Sequence, residues 1–202
     1  MLATRYKPLL NRTLEPLAKI IARAGISPTA ITVAGVLLAT LVCVWLLYAR
    51  AILPFCLAIL LVGLLDGVDG VVARVSGRET KFGAYLDAMA DRYTESIIVV
   101  SVAYVTGYWA LSMVVLAGAL LVSYAKARAA MEVVVTNLEW PDLMERTERG
   151  LLFIAGLALS AVCPWRPLGH DLFWWTLVIL AVLIHATVIQ RIVRARRFIA
   201  SR

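Results

Sequence analysis

Long apolar stretches separated by short polar segments dominate the order of residues. Runs close to the roughly 20 residues needed to cross a bilayer lie at 30–49, 51–73, 84–107, 109–131, 150–165 and 170–193. The fifth is short, so it either extends back into Arg149 or is cut by Pro164. Ahead of them, residues 2–24 repeat apolar positions at helical spacing (Tyr6, Leu9, Leu10, Leu14, Leu17, Ile20, Ile21), with basic residues interleaved. This segment is too polar to span and reads as an amphipathic helix lying in the interface. Gly25 ends it, and Ser27-Pro28 turn the chain into the first span. The expected fold is an all-α integral membrane protein. Six transmembrane helices form one domain over residues 29–202, and residues 1–28 add the interfacial helix.

Composition agrees with that pattern. Hydrophobic residues make up 62% of the 202 and charged residues only 16%. A soluble domain has about 45–50% and about 25%, and could not hide so much apolar surface. The charges then fix orientation. Eighteen of the 20 Lys and Arg fall before the first span, around the second and fourth connections, or after the last span, whereas Arg50 and Arg166 fall on the other side. The positive-inside rule places both termini in the cytoplasm of a multi-pass cell-membrane protein. The net charge of +7 is thus a topology signal, and its division among separate segments speaks against a nucleic-acid partner. Cys43, Cys56 and Cys163 sit in or beside apolar spans without metal-type spacing, and read as buried thiols. The first apolar run starts too late and continues too long for a cleavable signal peptide.

The chemistry gathers at the cytoplasmic end of spans two and three. Asp66 and Asp69 are i, i+3 on a helix, Asp87 and Asp91 are i, i+4, and each pair shares a face. A turn between the spans brings the pairs together. Carboxylates at the end of a membrane span are costly unless compensated. Arg74, Arg78 and Lys81 offer salt bridges, but two pairs of hard oxygen ligands point instead to a divalent cation. Gly63, Gly67 and Gly70 give span two a low-relief strip, suited to helix packing through small residues or to a nucleotide against the backbone. Arg74 is a phosphate or base contact, or else an interfacial cation.

The string D-x2-D-G-x2-A-R-x8-G-x3-D-x3-D is met at every position from Asp66 to Asp91. It resembles the signature of the CDP-alcohol phosphatidyltransferase family, and the six-span plan extends the resemblance over most of the chain. By this resemblance Asp66, Asp69, Asp87 and Asp91 hold Mg²⁺ or Mn²⁺, as a pair of ions. Asp91 is similar to the general base that takes the proton from the acceptor hydroxyl. Gly70, Arg74 and Thr80 resemble positions that hold the CDP moiety of the donor, as do Thr29, Ala30, Ile31 and Thr32 before span one. Many relatives carry Asn where Thr29 stands. Direct attack of the acceptor on the lipid-side phosphorus releases CMP, and no Ser or Cys nucleophile with a nearby base suggests a covalent intermediate. The resemblance also implies a homodimer.

The acceptor is read from the cations of the other half. Ser123, Lys126 and Arg128 close span four, Arg149 opens span five, and Arg191 ends span six. Each alone is explained by snorkelling to the interface; together they suit an acceptor that already bears a phosphate. The strings S-Y-x-K-A-R from Ser123 and E-R-x-E-R from Glu145 resemble the subfamily that uses inositol phosphate. That resemblance gives acceptor contacts to Ser123, Lys126, Arg149 and Arg191, with Arg128 and Arg146 as neighbours. Three other readings stay open. These are a glycerol 3-phosphate acceptor, a CDP-inositol donor, and a divalent-cation transporter, whose sites usually lie at the bilayer midplane between repeats. The donor's lipid, diacylglycerol or archaeol, is not encoded in any residue identified.

Overall fold

A computed structural model of the chain describes residues 2–132 and 143–200, with the side chains of all of these except residues 2–12 and Asp66. Its described residues are helical and contain no strand. They divide into two compact units, Thr4–Gly107 and the chain from Tyr108 onward.

Four helices build the first unit: α1 Leu2–Arg23, α2 Pro28–Ala49, α3 Ile52–Ser76 and α4 Lys81–Thr106. Local chemistry sets their ends. Gly25 leaves α1 at φ +77°, and Ser27 caps α2 by accepting from the Ala30 N–H at 3.2 Å, with Pro28 in the first turn. Arg50 takes the left-handed conformation that closes α2 (φ 49°), and Gly77 and Gly107 do the same for α3 and α4. Helix α2 packs against both α3 and α4, and its buried positions Ala39, Cys43 and Leu46 follow helical spacing. Ala18 of α1 packs on Val68, Val71 and Val72 of α3, flanked by Leu14, Ile21, Ala22 and Ile31. One face of α1 is thereby held, while Leu17 and Ile20 stay exposed.

The second unit contains α5 Trp109–Glu132, α6 Arg146–Val162, a 3₁₀ turn at Pro167–Gly169 and α7 Leu172–Ala200. Helix α6 begins before Arg149 and stops ahead of Pro164, so both expectations for the short fifth run hold. Helix α7 packs against α5 and α6, burying Phe173, Leu177, Leu180 and Ile184. Close approach relies on glycine. A Cβ at Gly118 would lie 2.7 Å from His185 Cε1 and Ile184 Cγ2, and one at Gly156 would collide with Thr176. In hydrocarbon, where lipid tails are as apolar as leucine, such small-residue contacts supply the packing that holds helices together. At the start of α7, Asp171 accepts from the Trp174 N–H (2.9 Å) and from the Tyr108 hydroxyl (2.7 Å). Burial, with Asp171 beside it, pushes the Tyr108 phenol up to about 12, so it remains a donor at neutral pH. His170 stacks on Trp174, with ring centroids 4.1 Å apart, and Trp175 Nε1 donates to the Pro167 carbonyl at 3.0 Å. Aromatic side chains of this kind gather where a helix meets a membrane surface.

Among the described residues, four helices are long and apolar enough to cross a membrane: α2, α3, α5 and α7. Leucines such as Leu37, Leu41, Leu57 and Leu61 remain exposed on them, which suits a lipid environment rather than water. The chain is a membrane protein. The third and fifth expected runs, α4 and α6, fall short for identifiable reasons. Helix α4 carries Lys81, Asp87, Asp91, Arg92 and Glu95 in its N-terminal portion, and α6 has only 17 residues.

Candidate active site

The two aspartate pairs lie on consecutive helices, both packed on α2, joined by a link only four residues long. Helix α3 closes on Gly77 (φ 63°), whose N–H reaches the Arg74 carbonyl while the Arg78 N–H reaches the Ala73 carbonyl at 3.0 Å. Helix α4 opens at Thr80, whose hydroxyl oxygen accepts from the Gly83 N–H at 2.9 Å. Gly83, fixed in the signature, has a local reason here. A Cβ would come within 3.0 Å of that same Thr80 oxygen and crowd the cap. Thr80 is thus a helix cap in addition to its expected place beside the nucleotide.

Among the described aspartates of the cluster Asp69 is the buried one, only 7% exposed. Its Oδ2 accepts from Thr32 Oγ1 at 2.5 Å, across 37 positions of chain, and its Oδ1 faces the Gly70 N–H. Thr32 is itself buried and also meets the Pro28 carbonyl at 3.2 Å. Helix α2 therefore grips α3 through the threonine that the family pattern assigned to the donor. Asp91 lies 3.7 Å from Arg92, whose other nitrogen is 3.3 Å from Glu95. Asp87 is half-buried one turn earlier. The side chain of Asp66 lies outside the described residues.

The glycine strip is open on one side. No described atom comes within 4 Å of a Cβ at Gly63, and Gly67 meets only Leu14 Cδ1, at 3.9 Å. At Gly70 the nearest neighbour is Arg74 Nη1, at 3.6 Å, so the Arg74 guanidinium folds back over the glycine. Arg74 and Thr80 are exposed, and Thr29, Ala30 and Ile31 lie in the first turn of α2.

The donor set consists of hard carboxylate oxygens, which fit a divalent cation of the magnesium type. No three described Asp, Glu, His or Cys side chains close into a ligand cluster by themselves. The fourth aspartate, Asp66, one turn before Asp69, is outside that comparison.

The expected acceptor residues all belong to the second unit. Arg149 and Arg191 are buried, at 4% and 6% exposure, whereas Arg128 is half exposed and pairs with Glu132 at 2.6 Å. Snorkelling explains Arg128 and fails for the other two, whose heads are withdrawn from solvent. Arg191 Nη1 donates to the Val122 carbonyl, next to Ser123, and Ser123 Oγ donates to the Ala119 carbonyl at 3.2 Å. Arg149 Nη1 donates to the Met144 carbonyl at 3.3 Å. Lys126 is half-buried on α5.

One role was missed in the sequence. The glutamates of E-R-x-E-R form a capping box, in which the Glu145 N–H donates to Glu148 Oε2 at 3.0 Å. They fix the first turn of α6 and with it Arg149. The S/T-x-x-E rule pointed at Ser or Thr in the first place, and Glu145 hides the signal. Gln190 likewise ties the segment before α6 to α7 by accepting from the Leu143 N–H at 3.2 Å. Glu139 and Asp142, two further acids ahead of α6 in the chain, lie outside the described residues.

Comparison with known proteins agrees over nearly the whole length. The chain is 28% identical over 196 residues to archaetidylinositol phosphate synthase of Pyrococcus horikoshii, covering 96% of each. It is 31% identical over 193 residues to the enzyme of that name from Methanothermobacter thermautotrophicus, covering 94% of this chain and 91% of the other. Phosphatidylinositol phosphate synthase of Corynebacterium glutamicum is 30% identical over 189 residues, covering 90% and 83%. Among solved structures, phosphatidylinositol phosphate synthase of Mycobacterium tuberculosis with CDP-DAG bound superposes with a TM-score of 0.79 at 25% identity, covering 91% of this chain and 94% of the other. Residues 25–189 match the family model described as CDP-alcohol phosphatidyltransferase, and with the aspartate string from Asp66 to Asp91 the chain belongs to that family of enzymes.

Proposed function

We propose that this enzyme transfers a phosphatidyl-type group from a CDP-lipid, CDP-diacylglycerol or CDP-archaeol, to inositol 1-phosphate, releasing CMP. The observation that carries the acceptor is the burial of Arg149 and Arg191, on different helices of one unit. Two desolvated guanidiniums suit a phosphate monoester and have no use for a choline or ethanolamine head group. The names of the full-length relatives support the same acceptor. Archaetidylinositol and phosphatidylinositol relatives match about equally, which leaves both lipid donors open.

In this reading Asp66, Asp69, Asp87 and Asp91 hold two Mg²⁺ or Mn²⁺ ions, and a solved relative carries manganese. Bound there, the metal neutralises the donor pyrophosphate and makes CMP a good leaving group. Asp91 takes the proton from the inositol hydroxyl, and the freed oxygen attacks the lipid-side phosphorus as the bond to CMP breaks. Gly70 leaves room for the nucleotide, and Arg74, Thr80 and residues Thr29 to Thr32 border it. Ser123, Lys126, Arg149 and Arg191 hold the acceptor phosphate. Residues 29–202 act as a single catalytic domain of six spans, with α4 and α6 completing the set, and α1 lies in the cytoplasmic interface. Both termini and the site face the cytoplasm of the cell membrane, and the working form is a homodimer, as the family resemblance implies.

The test is CMP release by purified protein given CDP-lipid, Mg²⁺ and a panel of alcohols. Inositol 1-phosphate should be the preferred acceptor; preference for glycerol 3-phosphate would end the inositol assignment.

Thr32 adds a prediction of its own. If its bond to Asp69 orients a metal ligand, Thr32→Val should raise the Mg²⁺ needed for half-maximal activity about 10- to 100-fold, the usual effect of losing an outer hydrogen bond to a ligand. Thr32→Ser keeps the hydroxyl and should stay near the parent. A Thr32→Val enzyme with unaltered Mg²⁺ dependence but weakened CDP-lipid binding would return Thr32 to the donor site alone.

A further inference from the structure

At the C-terminal ends of α1 and α3, Lys19, Ala22, Arg23, Val75, Ser76 and Arg78 line a cleft of about 310 Å³. Its construction follows from contacts already described. Ala18 seats α1 on Val68, Val71 and Val72 of α3. One turn further along each helix lie Ala22 on one side, and Val75 and Ser76 on the other. The reversal at Gly77, closed by the Arg78 N–H on the Ala73 carbonyl, then fixes the backbone of Arg78 at the mouth. Ala22 and Val75 thus give the cleft its apolar wall, beside Ser76, and Lys19, Arg23 and Arg78 its cations.

The rim lacks acids. Lys19 pairs with Glu15 at 2.8 Å, but the Arg23 and Arg78 side chains have no hydrogen-bond or ion-pair partner among the described residues. A single arginine after a helix is an ordinary solvated cation that complements the helix dipole. Two arginines without a counter-charge at one cleft repel each other, and an anion between them relieves that repulsion, with Lys19 able to share its charge between Glu15 and the anion. Ser76 already donates to the Val72 carbonyl at 2.7 Å, so the cations supply the donors. The surroundings then choose between a free anion and a lipid. Ala22 and Val75 line the cleft with apolar surface, and Val75 is exposed. Ile20 and Ile26, also exposed, flank Lys19 and Arg23 in the chain, and such residues suit acyl chains and offer nothing to a soluble ion.

We propose that this cleft binds the phosphate of an anionic lipid headgroup, held by the guanidiniums of Arg23 and Arg78 with Lys19 in support. The site is separate from the aspartate cluster, and it rests on the reading of α1 as an interfacial helix. Its consequence is that anionic lipid clamps α1 to α3 and stabilises the unit carrying all four aspartates.

The experiment is thermal unfolding of the purified full-length protein in neutral detergent micelles, with added dioleoyl phosphatidic acid, dioleoyl phosphatidylcholine or inorganic phosphate. Phosphatidic acid should raise Tm saturably by about 5 °C, the order expected for a ligand well above its Kd on a chain of this size. Phosphatidylcholine and inorganic phosphate should not. The Arg23→Gln/Arg78→Gln double variant should lose the shift. Arg78→Lys, which keeps the charge but not the fork, should retain part of it and guards against a variant that merely misfolds. An equal rise with inorganic phosphate would overturn the lipid assignment, and an undiminished rise in the double variant would overturn the site. Micelles have no bilayer plane, so the shift reads the cleft itself. Depth quenching of a probe at position 20 reports the placement of α1 separately, and CMP release in phosphatidylcholine alone reports the transferase reading.

Discussion

Replacing Asp91 by asparagine is expected to lower turnover roughly 10²–10⁴-fold, the usual range for a lost general base, while CDP-lipid binding stays close to that of the parent. Asparagine keeps the size and some coordinating ability of the side chain but cannot accept a proton at neutral pH. Its neighbours should hold it in place, since Asp91 sits on a regular turn of α4 beside Arg92. Asp69→Asn separates the two roles. Asp69 is the most enclosed of the described aspartates and is held by Thr32, so its loss should cost at least about 10²-fold in activity. That loss should come with weaker metal and donor binding. Excess chelator should abolish activity of the unaltered protein, and Mg²⁺ or Mn²⁺ should restore it. Collapse of donor binding in Asp91→Asn would make Asp91 mainly a ligand, and full turnover in chelator would remove the metal from the mechanism.

What the sequence made legible is what short-range chemistry decides. Gly25, the Ser27-Pro28 pair and Pro164 marked helix ends that the structure places within a few residues. The aspartate spacing was equally readable, because i, i+3 and i, i+4 relations need only the helix itself. Contacts between distant segments were not. Nothing near Thr32 in the chain announces Asp69, 37 positions on, and the family pattern drew the threonine toward the donor alone. At α4 hydropathy and charge point different ways: an apolar C-terminal part follows the charged residues from Lys81 to Glu95, and the apolar run alone carried the reading of a span. The arginines show the same limit. Arg128, Arg149 and Arg191 look alike beside apolar runs, yet packing against α5 and within the start of α6 buries two of them and leaves one in solvent.

That difference in burial leads to the test of the acceptor. Arg149→Ala and Arg191→Ala should each raise the KM for inositol 1-phosphate while leaving the KM for CDP-lipid nearly unchanged. Removing one partner of a desolvated, hydrogen-bonded charge pair costs about 2–4 kcal/mol, which corresponds to roughly 30- to 800-fold. The two sites differ in what else they hold. Arg191 also donates to the Val122 carbonyl of α5, so its truncation should lower Tm as well, whereas Arg149 bonds within its own segment, to Met144. Lysine at either position should rescue only in part, because an ammonium lacks the two-pronged fork that matches a phosphate. Arg128→Ala is the internal control: an exposed cation already paired with Glu132 should change neither KM by more than a few-fold. Unphosphorylated inositol should be a poor acceptor for the parent and indifferent to all three changes. Unchanged inositol-phosphate kinetics in both buried-arginine variants would leave these residues as structural ties, and the phosphate would have to be held elsewhere.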